Sequence, residues 1–483
     1  MTMNLNELSP KPLWSIFADL CSIPRPSKHE EKVVQYVIGF AQKHGLEFYN
    51  DKAGNVIIRK KATPGKEGAK PIILQAHVDM VPQKNSATQH DFLTDPIQAY
   101  VDGEWVKARG TTLGSDNGIG VAAAMAVLQS NDLVHGPLEV LLTIDEETGM
   151  TGAFNIEPDS LKGKTMINLD SEDEGELYIG CAGGLNTSAR IPVKWENVSG
   201  NFKAYKLNLT GLKGGHSGLD INLGRGNANK LMNRFLWNAS REFGVKIASL
   251  EGGTLRNAIP REAFAVIAVP GDAVSKFEKG ISDFEQTLKT ELGSIETDLS
   301  FNAESCELPK QVVENKSQAN FLNAIYVIPN GAVRMIAEMP EVVETSTNLA
   351  IIKLKETELE LMCLLRSSVD SAKMDLANAM TAVFELSGAA VAHDGAYPGW
   401  KPNVNSPILS TMAEVYQKKF GKKPEVKVIH AGLECGIIGD KYPGMDMVSF
   451  GPTIRHPHSP DEKVNIPTVQ KFWDFLVETL KAC

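Results

Sequence analysis

Three short apolar runs are each followed by residues whose side chains bind divalent metal ions. The runs and the residues that follow them are 71–76 with His77 and Asp79, 138–144 with Glu146 and Glu147, and 165–169 with Asp170. Apolar runs of this length, bounded by turns, are typical of buried parallel strands, and ligands of an open α/β sheet bind beyond the carboxyl ends of its strands. Because imidazole and carboxylate groups are ligands of zinc-like ions, the sequence predicts a metal site at that edge of the sheet.

Two further metal-ligand candidates lie outside these runs. Asp116 sits in a Gly-rich turn at 114–118, just before a helix of small residues, and His458 lies far downstream in the segment 455–462. Taken alone, Asp116 is also a good helix N-cap, and His458 is also an ordinary loop residue. Two histidines with three or four carboxylates at strand ends are, however, what two adjacent divalent metals require, including a bridging carboxylate. The joint pattern therefore favours a two-metal site.

Some of the acidic positions suit tasks other than metal binding. Asp79 follows His77 by two residues, so both face the same side of an extended strand, where a carboxylate can orient the histidine ring. Glu146 and Glu147 are adjacent at a strand-to-loop bend and can point in different directions. One of them can then bind a metal while the other takes a proton from the attacking water. The alternative for this pair is a solvated acidic corner.

The overall composition argues against several functional classes. A net charge of −10 disfavours a nucleic-acid-binding protein, whose footprint would be a basic face. No apolar run approaches the length of a membrane span, and the first residues lack the basic and apolar regions of a signal peptide. The six cysteines are scattered without a C-x-x-C pair, which favours reduced thiols in the cytoplasm. We therefore expect a cytoplasmic protein that binds neither membranes nor nucleic acid.

The pattern of helices and strands predicts a catalytic domain interrupted by an insertion. Up to about residue 182 they alternate, which indicates an α/β fold with a mostly parallel sheet. The segment 202–302 has the β-α-β-β-α-β pattern of a ferredoxin-like unit, and a partial second copy is expected between 318 and 393. The stretch 395–400 is predicted to be a linker, after which the α/β pattern returns. The predicted domains are therefore a catalytic domain of residues 1–184 and 399–483 and an inserted α+β domain of residues 185–398.

Five segments, taken in order, resemble one family of metallopeptidases. They are H-V-D at 77–79, G-S-D-N-G at 114–118, D-E-E-T-G at 145–149, N-L-D at 168–170 and H-S-P-D-E at 458–462. Their order and spacing are similar to those of the two-zinc exopeptidases that include carboxypeptidase G, peptidase T, peptidase V and carnosinase. The segments 430–436 and 450–462 look closest to the bacterial aminoacyl-histidine dipeptidases (cytosolic Xaa-His dipeptidases) of that family. The resemblance implies a zinc-exopeptidase catalytic domain with the ferredoxin-like insertion as its lid.

The resemblance also implies roles for the residues of the metal site. The ligands that it implies for two divalent ions per chain are His77 and Asp170 for one ion, Glu147 and His458 for the other, and Asp116 as the bridge. It makes Glu146 the general base and Asp79 the residue that orients His77. In such enzymes the bond from the bridging aspartate to the next residue, here Asn117, is often cis. The expected metal is zinc, and the ligand types leave cobalt and manganese open.

Substrate-binding residues are implied mainly in the inserted domain. His216, in the Gly-rich turn 211–218, matches the lid histidine that stabilises the developing oxyanion, although a lone histidine there is also typical of a surface loop. Arg366 matches the arginine whose guanidinium fork binds a dipeptide's terminal carboxylate, although an arginine at a strand end is often solvated. The other matches are Asn257 in the lid, and Gly432 and Glu434 in a turn that lines the cleft. Glu434 would meet the substrate's ammonium group or would instead be a capping or surface residue.

These implications predict a cytoplasmic two-zinc dipeptidase. It would hydrolyse unblocked dipeptides, preferentially Xaa-His and including β-Ala-His, with Glu146 as the base. A tripeptidase or an N-acyl amino-acid deacylase shares the same metal core and stays an alternative. A non-catalytic metal-binding or assembly protein is a further alternative, which Glu146 disfavours because a scaffold needs no free base. The family also makes a homodimer through the lid domain an expectation.

Overall fold

The computed structural model describes residues 4–483, which fall into two compact units. Unit 1 comprises the chain up to Gly180 together with Trp400–Val428 and Leu433–Cys483. Unit 2 comprises Cys181–Gly399 and Ile429–Gly432. The units thus divide at 180/181 and 399/400, where the sequence predicts 184/185 and 398/399. The short return of the chain to unit 2 at 429–432 is not predicted.

Helices and strands follow one another along the chain in three stretches. After a 3₁₀ turn at Leu5–Glu7, the first stretch contains α1 (Lys11–Ser22), α2 (Glu31–Lys43), β1 (Glu47–Asn50), β2 (Val56–Lys60), β3 (Ile72–His77), β4 (Ala99–Asp102), β5 (Trp105–Ala108), α3 (Ser115–Gln129), β6 (Leu138–Thr143), α4 (Glu146–Gly149), α5 (Thr151–Phe154), β7 (Thr165–Asn168) and β8 (Glu176–Cys181). The second contains β9 (Gly183–Pro192), β10 (Trp195–Asn197), β11 (Phe202–Thr210), β12 (Gly215–His216), α6 (Ala228–Glu242), β13 (Lys246–Gly252), β14 (Ala258–Ile259), β15 (Ala263–Pro270), α7 (Val274–Leu292), β16 (Ser300–Cys306), β17 (Gln311–Val313), α8 (Asn315–Val327), β18 (Gly331–Ile336), β19 (Met339–Leu354), β20 (Glu358–Ser367), α9 (Asp370–Leu386) and β21 (Ala390–Tyr397). The third contains α10 (Pro407–Phe420), β22 (Glu425–Ile429), α11 (Glu434–Lys441), β23 (Asp446–Ser449), β24 (Ile454–Arg455), β25 (Lys463–Asn465) and α12 (Ile466–Ala482).

Unit 1 is built on an eight-stranded sheet with the order β1-β2-β6-β3-β7-β23-β8-β22. The four central strands, β6, β3, β7 and β23, are parallel, whereas β1, β2 and β8 pair with their neighbours in antiparallel fashion. Every residue of β3 and β6 is buried, because side chains of α1, α2, α3, α10 and α12 share one hydrophobic core with the strands. The predicted α/β fold is therefore confirmed, with a parallel centre and antiparallel strands added towards the edges.

Two smaller features of unit 1 place the remaining ligand candidates. Helix α3 consists largely of glycine, alanine and valine, and a Cβ at Gly120 would lie 2.6 Å from the Leu169 carbonyl oxygen, so only glycine allows this approach to the end of β7. The small antiparallel sheet β24-β25-β5-β4 contains a hairpin, β24–β25, whose loop carries His458. His458 has a φ of 58°, a left-handed conformation in which histidine is enriched.

Unit 2 is built on an antiparallel sheet in the order β16-β11-β15-β13-β19-β20-β9-β21, with β18 paired to β19. The elements β11-α6-β13-β15-α7-β16 form one β-α-β-β-α-β repeat, with its strands in the sheet order 4-1-3-2. The elements β9-α8-β19-β20-α9-β21 form a second repeat in the reverse order, 2-3-1-4. Both repeats have the ferredoxin-like arrangement, so the duplication considered from the sequence is present.

The two repeats are interleaved in the chain, which the sequence does not reveal. The first strand of the second repeat, β9, precedes the whole first repeat, whereas the sequence analysis places the second copy after the first and predicts neither β9 nor β13. Strand β21 also continues to Tyr397, which pairs with Gly184, so the first half of the predicted linker 395–400 is a strand. These differences arise because the strands pair with segments that are distant in the chain, and the periodicity of apolar residues within one segment does not predict such pairing. Within residues 4–483, no helix combines the length and the apolar character needed to cross a bilayer.

Candidate functional site

The carboxyl ends of the central strands of unit 1 bring the predicted metal ligands together. His77 ends β3, Glu146 and Glu147 form the start of α4 just after β6, and Asp170 follows β7. Asp116 lies in the first turn of α3, and its peptide bond to Asn117 is cis, as the resemblance implies. His458 joins them from the β24–β25 loop; its neighbour His456 is not part of the cluster.

Asp116 lies between the two histidines. Its Oδ1 is 3.1 Å from His77 Nε2, and its Oδ2 is 3.2 Å from His458 Nε2. On one side, His77 Nε2 is also 3.4 Å from Asp170 Oδ1, and on the other, His458 Nε2 is 2.9 Å from Glu147 Oε2. The site is therefore two clusters, each with one histidine and one carboxylate of its own, that share the carboxylate of Asp116.

The hydrogen-bonding pattern of the clusters fits the binding of cations. His77 Nδ1 is 3.2 Å from Asp79 Oδ1, to which it donates, so in the neutral ring Nε2 carries a lone pair that faces two carboxylate oxygens. A nitrogen lone pair and carboxylate oxygens are all electron-pair donors, so they can lie this close only with a proton or a metal ion between them. Glu147 Oε1 is also buried without a hydrogen-bond partner among the described residues. The separations of 2.9–3.4 Å agree with two ligands of one tetrahedral ion, which lie about 3.4 Å apart at zinc-ligand bond lengths.

The pKa values of the histidines and of Asp170 are raised at this centre. Hydrogen bonds to Asp116 and Glu147 raise the pKa of His458 to about 11. Burial lowers the pKa of His77, but the charge of Asp170 and the hydrogen bonds to Asp116, Asp170 and Asp79 outweigh burial and raise it well above its usual range. Burial raises the pKa of Asp170 to about 7. Metal binding at such a centre must displace protons, so metal affinity rises with pH.

Asp79 is a buried carboxylate that joins His77 to the two glutamates. Its Oδ1 faces His77 and accepts the backbone N–H of Glu146 at 3.1 Å, and its Oδ2 accepts the backbone N–H of Glu147 at 3.2 Å and the hydroxyl of Ser27 at 2.8 Å. Burial, followed by the charges of nearby carboxylates, raises the pKa of Glu146 well above its usual range. A carboxyl group with a raised pKa at a metal centre is suited to accept and release a proton near neutral pH.

In unit 2, the structure brings His216, Asn257 and Arg366 close together. Strand β12 pairs with β14, and Ser217 N donates to the Asn257 carbonyl at 2.8 Å, while the Asn257 residue is exposed. His216 Nδ1 accepts the backbone N–H groups of Gly218 and Leu219, so the neutral ring carries its proton on Nε2.

The proton-bearing Nε2 of His216 lies 3.4 Å from Arg366 Nη2, so two donors converge. Arg366 is the last residue but one of β20 and is 5% exposed, so the alternative of a solvated arginine does not apply. Its Nε is buried without a hydrogen-bond partner among the described residues, and its Nη1 donates to Tyr397 Oη at 3.1 Å. Burial and the charge of Arg366 lower the pKa of His216 to about 4. The N–H groups of His216 and Arg366 therefore point towards one another without an acceptor between them, and an anion could accept hydrogen bonds from both.

Within unit 2, His430 and Tyr397 interact with this arginine, and Gly432 lies against Tyr397. His430 Nε2 hydrogen-bonds to Ser346 Oγ at 2.7 Å, and burial with the charges of Arg366 and His216 lowers the pKa of His430 to about 3. A Cβ at Gly432 would lie 3.1 Å from the Tyr397 ring, so Gly432 packs against the tyrosine that binds Arg366. The sequence predicts no role for His430 or Tyr397, because neither stands in a recognisable metal or nucleophile pattern.

Comparison with known proteins identifies the family. The family model described as peptidase family M20/M25/M40 matches residues 73–482, which is most of the chain. The chain belongs to peptidase family M20/M25/M40. Over 99% of its length it is 50% identical to the cytosol non-specific dipeptidase of Escherichia coli K12, of which it covers 98%. It is 51% identical to the crystallised aminoacylhistidine dipeptidase of Vibrio alginolyticus, with a TM-score of 0.95 and coverage of 99% of this chain and 98% of that one. The aminopeptidase PepT of Bacillus cereus has a related fold, with 16% identity, a TM-score of 0.64, and coverage of 98% and 99%.

Membership of the M20/M25/M40 family confirms the resemblance seen in the five sequence segments. The protein is therefore a hydrolase that acts on peptide bonds. In this M20 peptidase the fold places the H-V-D, G-S-D-N-G, D-E-E-T-G, N-L-D and H-S-P-D-E segments around one centre, although they are spread over most of the sequence.

The structure of this M20 peptidase also shows a buried polar network at the strand ends that carry the candidate metal ligands. Gln75 Nε2 and Thr143 Oγ1 each donate to Glu434 Oε2 at 2.6 Å, and the Asn168 side chain donates to Gln75 Oε1. Glu434 is fully buried and its pKa is raised to about 7, mainly by burial, so it is not a surface residue. The network joins the carboxyl ends of β3, β6 and β7. Gln75 and Asn168 inside apolar runs were the available sequence signal, since a polar residue there needs a buried partner.

Proposed function

We propose that this enzyme is a two-metal dipeptidase that cleaves unblocked dipeptides and prefers those that end in histidine. The observation that carries the proposal is the carboxylate of Asp116, which faces His77 with one oxygen and His458 with the other. The dipeptidase activity of two relatives that are similar over nearly the whole chain supports the substrate class. The name of the Vibrio alginolyticus relative supports a preference for Xaa-His substrates, including β-Ala-His.

The metal ions would be held by His77, Asp170 and Asp116 on one side and by Asp116, Glu147 and His458 on the other. When bound, they supply Lewis acidity that makes water a stronger nucleophile and polarises the scissile carbonyl. Glu146 takes one proton from the attacking water as its oxygen bonds to the carbonyl carbon. Glu146 then gives that proton to the leaving nitrogen as the carbon–nitrogen bond breaks, which releases two amino acids. Asp79 holds His77 and the backbone of both glutamates in place during these transfers.

The substrate is proposed to be recognised by its two charged ends. Arg366 binds the terminal carboxylate with the guanidinium edge that lacks a partner, and His216 donates from Nε2 to the carbonyl oxygen as negative charge develops there. Asn257 lies beside His216 and contributes a second polar contact. Gly432 keeps the Tyr397 ring next to Arg366, and Glu434 has one carboxylate oxygen without a partner among the described residues that suits the substrate's ammonium group.

The remaining parts of the proposal concern the metal, the compartment and the assembly. Zinc is the metal proposed, because histidine and carboxylate ligands suit it, with cobalt or manganese as substitutes. The cytoplasm is proposed as the compartment, in line with the cytosol dipeptidase of Escherichia coli. A homodimer formed through unit 2 is proposed from the family resemblance.

A substrate panel tests the proposal. Gly-His, β-Ala-His, Gly-Leu, a tripeptide and an N-acetyl amino acid are incubated with chelated protein and with protein to which zinc, manganese or cobalt is restored. Metal-dependent cleavage of the dipeptides, fastest for those that end in histidine, is the expected result. Cleavage of only the tripeptide or the acetylated compound would overturn the substrate class. No cleavage despite two bound metals per chain would favour a metal-binding protein without catalysis.

A further inference from the structure

A buried carboxylate in the same loop as His458 binds the backbone that carries Asp116. Glu462 is 2% exposed, and its Oε2 accepts the N–H groups of Leu113 at 2.7 Å and Gly114 at 3.0 Å. Its Oε1 accepts both the N–H of Ser115 at 2.7 Å and the hydroxyl of Ser115 at 2.6 Å. The backbone N–H of Asp116 also donates to Oε1, at 3.4 Å. One side chain therefore accepts hydrogen bonds from five donors of four consecutive residues.

A buried arginine binds the other side of the same backbone. Arg25 is 2% exposed; its Nη1 donates to the carbonyls of Val78 and Asp79, each at 2.9 Å, and its Nη2 donates to the carbonyl of Gly114 at 2.5 Å. Gly114 has a φ of 71°, and a Cβ there would lie 2.6 Å from Arg25 Nη2, so a side chain has no room at this position.

Together these residues connect the three segments on which the shared ligand depends. Arg25 ties the residues after His77 to Gly114, and Glu462 ties the same turn to the loop of His458. Their hydrogen bonds to this frame go to backbone groups and to the Ser115 hydroxyl, so they act on the position of the ligands rather than on the metals. A buried charge is costly unless its hydrogen bonds are satisfied, which explains why these contacts are so numerous.

We propose that Glu462, together with Arg25, is a positioning residue that sets how Asp116 is shared between the two metal clusters. This inference rests on the two-metal site of the proposed function. If Glu462 sets the pose of Asp116, its alteration must change the coordination of the metals themselves. A role in folding alone would lower stability and leave the coordination as it was.

The test compares Glu462→Gln with the control Glu139→Gln in the full chain loaded with cobalt. Glu139 is also buried, accepts the N–H groups of Lys162 and Gly163 at 2.7 Å, and lies near the amino end of β6, away from the ligands. A glutamine at 462 replaces one acceptor by an NH₂ group that faces N–H donors. The readouts are the visible spectrum of bound cobalt, the affinity of each metal site in a competition titration, the melting temperature, and kcat and KM.

We expect Glu462→Gln to alter the cobalt spectrum and to weaken the binding of at least one metal by about 10- to 100-fold, with kcat falling and KM little changed. Glu139→Gln should lower the melting temperature and leave the spectrum, the metal affinities and kcat as in the wild type. If Glu462→Gln does not fold, Ser115→Ala removes one of the five hydrogen bonds and should cause a smaller spectral change in the same direction. A wild-type spectrum and wild-type metal affinities in a folded variant would overturn the proposal. The spectrum and affinities need no substrate, so this result is separate from failure of the proposed dipeptidase activity.

Discussion

At the scale of single residues, the buried carboxylate of Asp79 links the parts of the proposed catalytic site. It faces the ring of His77 and accepts the backbone N–H groups of both Glu146 and Glu147. The two glutamates are thereby fixed at the backbone, while Glu147 faces His458 and Glu146 does not. This difference in direction allows one glutamate to bind metal and the other to transfer a proton.

Replacing the proposed base should separate metal binding from turnover. Glu146→Gln removes the group that accepts the proton and leaves the shared Asp116 and the other ligands in place. We expect kcat to fall by about 10²- to 10⁴-fold with unchanged metal content, measured by hydrolysis assays and elemental analysis of the same sample. Glu147→Gln is the matched control, and it should lose metal. Turnover of Glu146→Gln at the wild-type rate would exclude Glu146 as the base.

The buried His430 should make the metal-free protein less stable in acid. Its pKa is lowered to about 3 in the folded protein by burial and by Arg366 and His216, whereas the unfolded value is about 6.5. Between these values the unfolded chain binds more protons, so the stabilisation is present above pH 6.5 and is lost as the pH falls towards 3. At pH 5 the loss from this residue is about 2 kcal/mol relative to pH 7.5.

Urea unfolding in the presence of a chelator measures this effect. The free energy of unfolding should fall more for the wild type than for His430→Gln when the pH is lowered from 7.5 to 5. Comparing the two proteins removes the contribution of the other groups that titrate in this range. An equal fall in both proteins would show that His430 does not contribute.

At the scale of elements, the close approach of α3 to the end of β7 places Asp116 relative to Asp170. Asn117 Nδ2 donates to the Leu169 carbonyl at 2.8 Å, and Gly120 lies against the same carbonyl. A Cβ at Gly120 would lie 2.5 Å from Asn117 Oδ1 and 2.6 Å from that carbonyl oxygen. The small residues of α3 therefore allow the helix to pack in the core and also allow Asp116 to lie close to the end of β7.

Gly120→Ala should destabilise the protein and weaken metal binding together. Forcing a methyl group into this contact is expected to cost about 1–3 kcal/mol and to move α3 away from Leu169. Gly39→Ala is the control, because Gly39 is exposed in α2 with no atom within 4 Å of a new Cβ, and alanine there should stabilise the helix by up to about 1 kcal/mol. Chemical denaturation measures the stability of both variants, and metal titration measures their metal affinity. Wild-type metal affinity in Gly120→Ala would contradict the predicted link between this contact and the ligand geometry.

The sequence predicts those features that depend on residues close together in the chain. Apolar runs identified β3, β6 and β7 and thus the strand ends at His77 and Asp170, because strand periodicity and length are local properties. The sequence also predicts helices at 227–243, 272–292 and 407–420, which agree with α6, α7 and α10 within two residues at each end. The hydrogen bonds of Arg25 and Glu462 were not predicted, since they join backbone groups far apart in the chain. The interleaving of β9 with the second repeat was missed for the same reason.

At the scale of the whole molecule, the proposed metal ligands and the residues proposed to bind the substrate carboxylate belong to different units. The five proposed ligands, together with Glu146 and Asp79, lie in unit 1, whereas His216, Asn257 and Arg366 lie in unit 2. Changes in unit 2 can therefore alter substrate binding without removing a ligand of the metals. This division gives a direct test of the role proposed for Arg366.

Arg366→Ala should retain the wild-type metal content and lose affinity for dipeptides. Loss of a charged hydrogen-bonding partner for the carboxylate should lower kcat/KM by about 10- to 100-fold, mainly through a higher KM. Arg190→Ala is the control, because Arg190 is an exposed arginine of the same unit and its removal should leave kcat/KM unchanged. Steady-state kinetics with elemental analysis distinguish the outcomes. Unchanged KM in Arg366→Ala would rule out the proposed carboxylate contact.

The interruption of unit 1 by unit 2 also determines when activity can arise during synthesis on the ribosome. A nascent chain that has emerged as far as Asp170 still lacks His458, Glu462 and the strand β23 that pairs with β7. Translation must pass through all the strands of the interleaved repeats before these parts are made. If the proposed metal site is correct, a prematurely terminated product that lacks this last stretch should be inactive towards peptide bonds, because it lacks one of the proposed ligands.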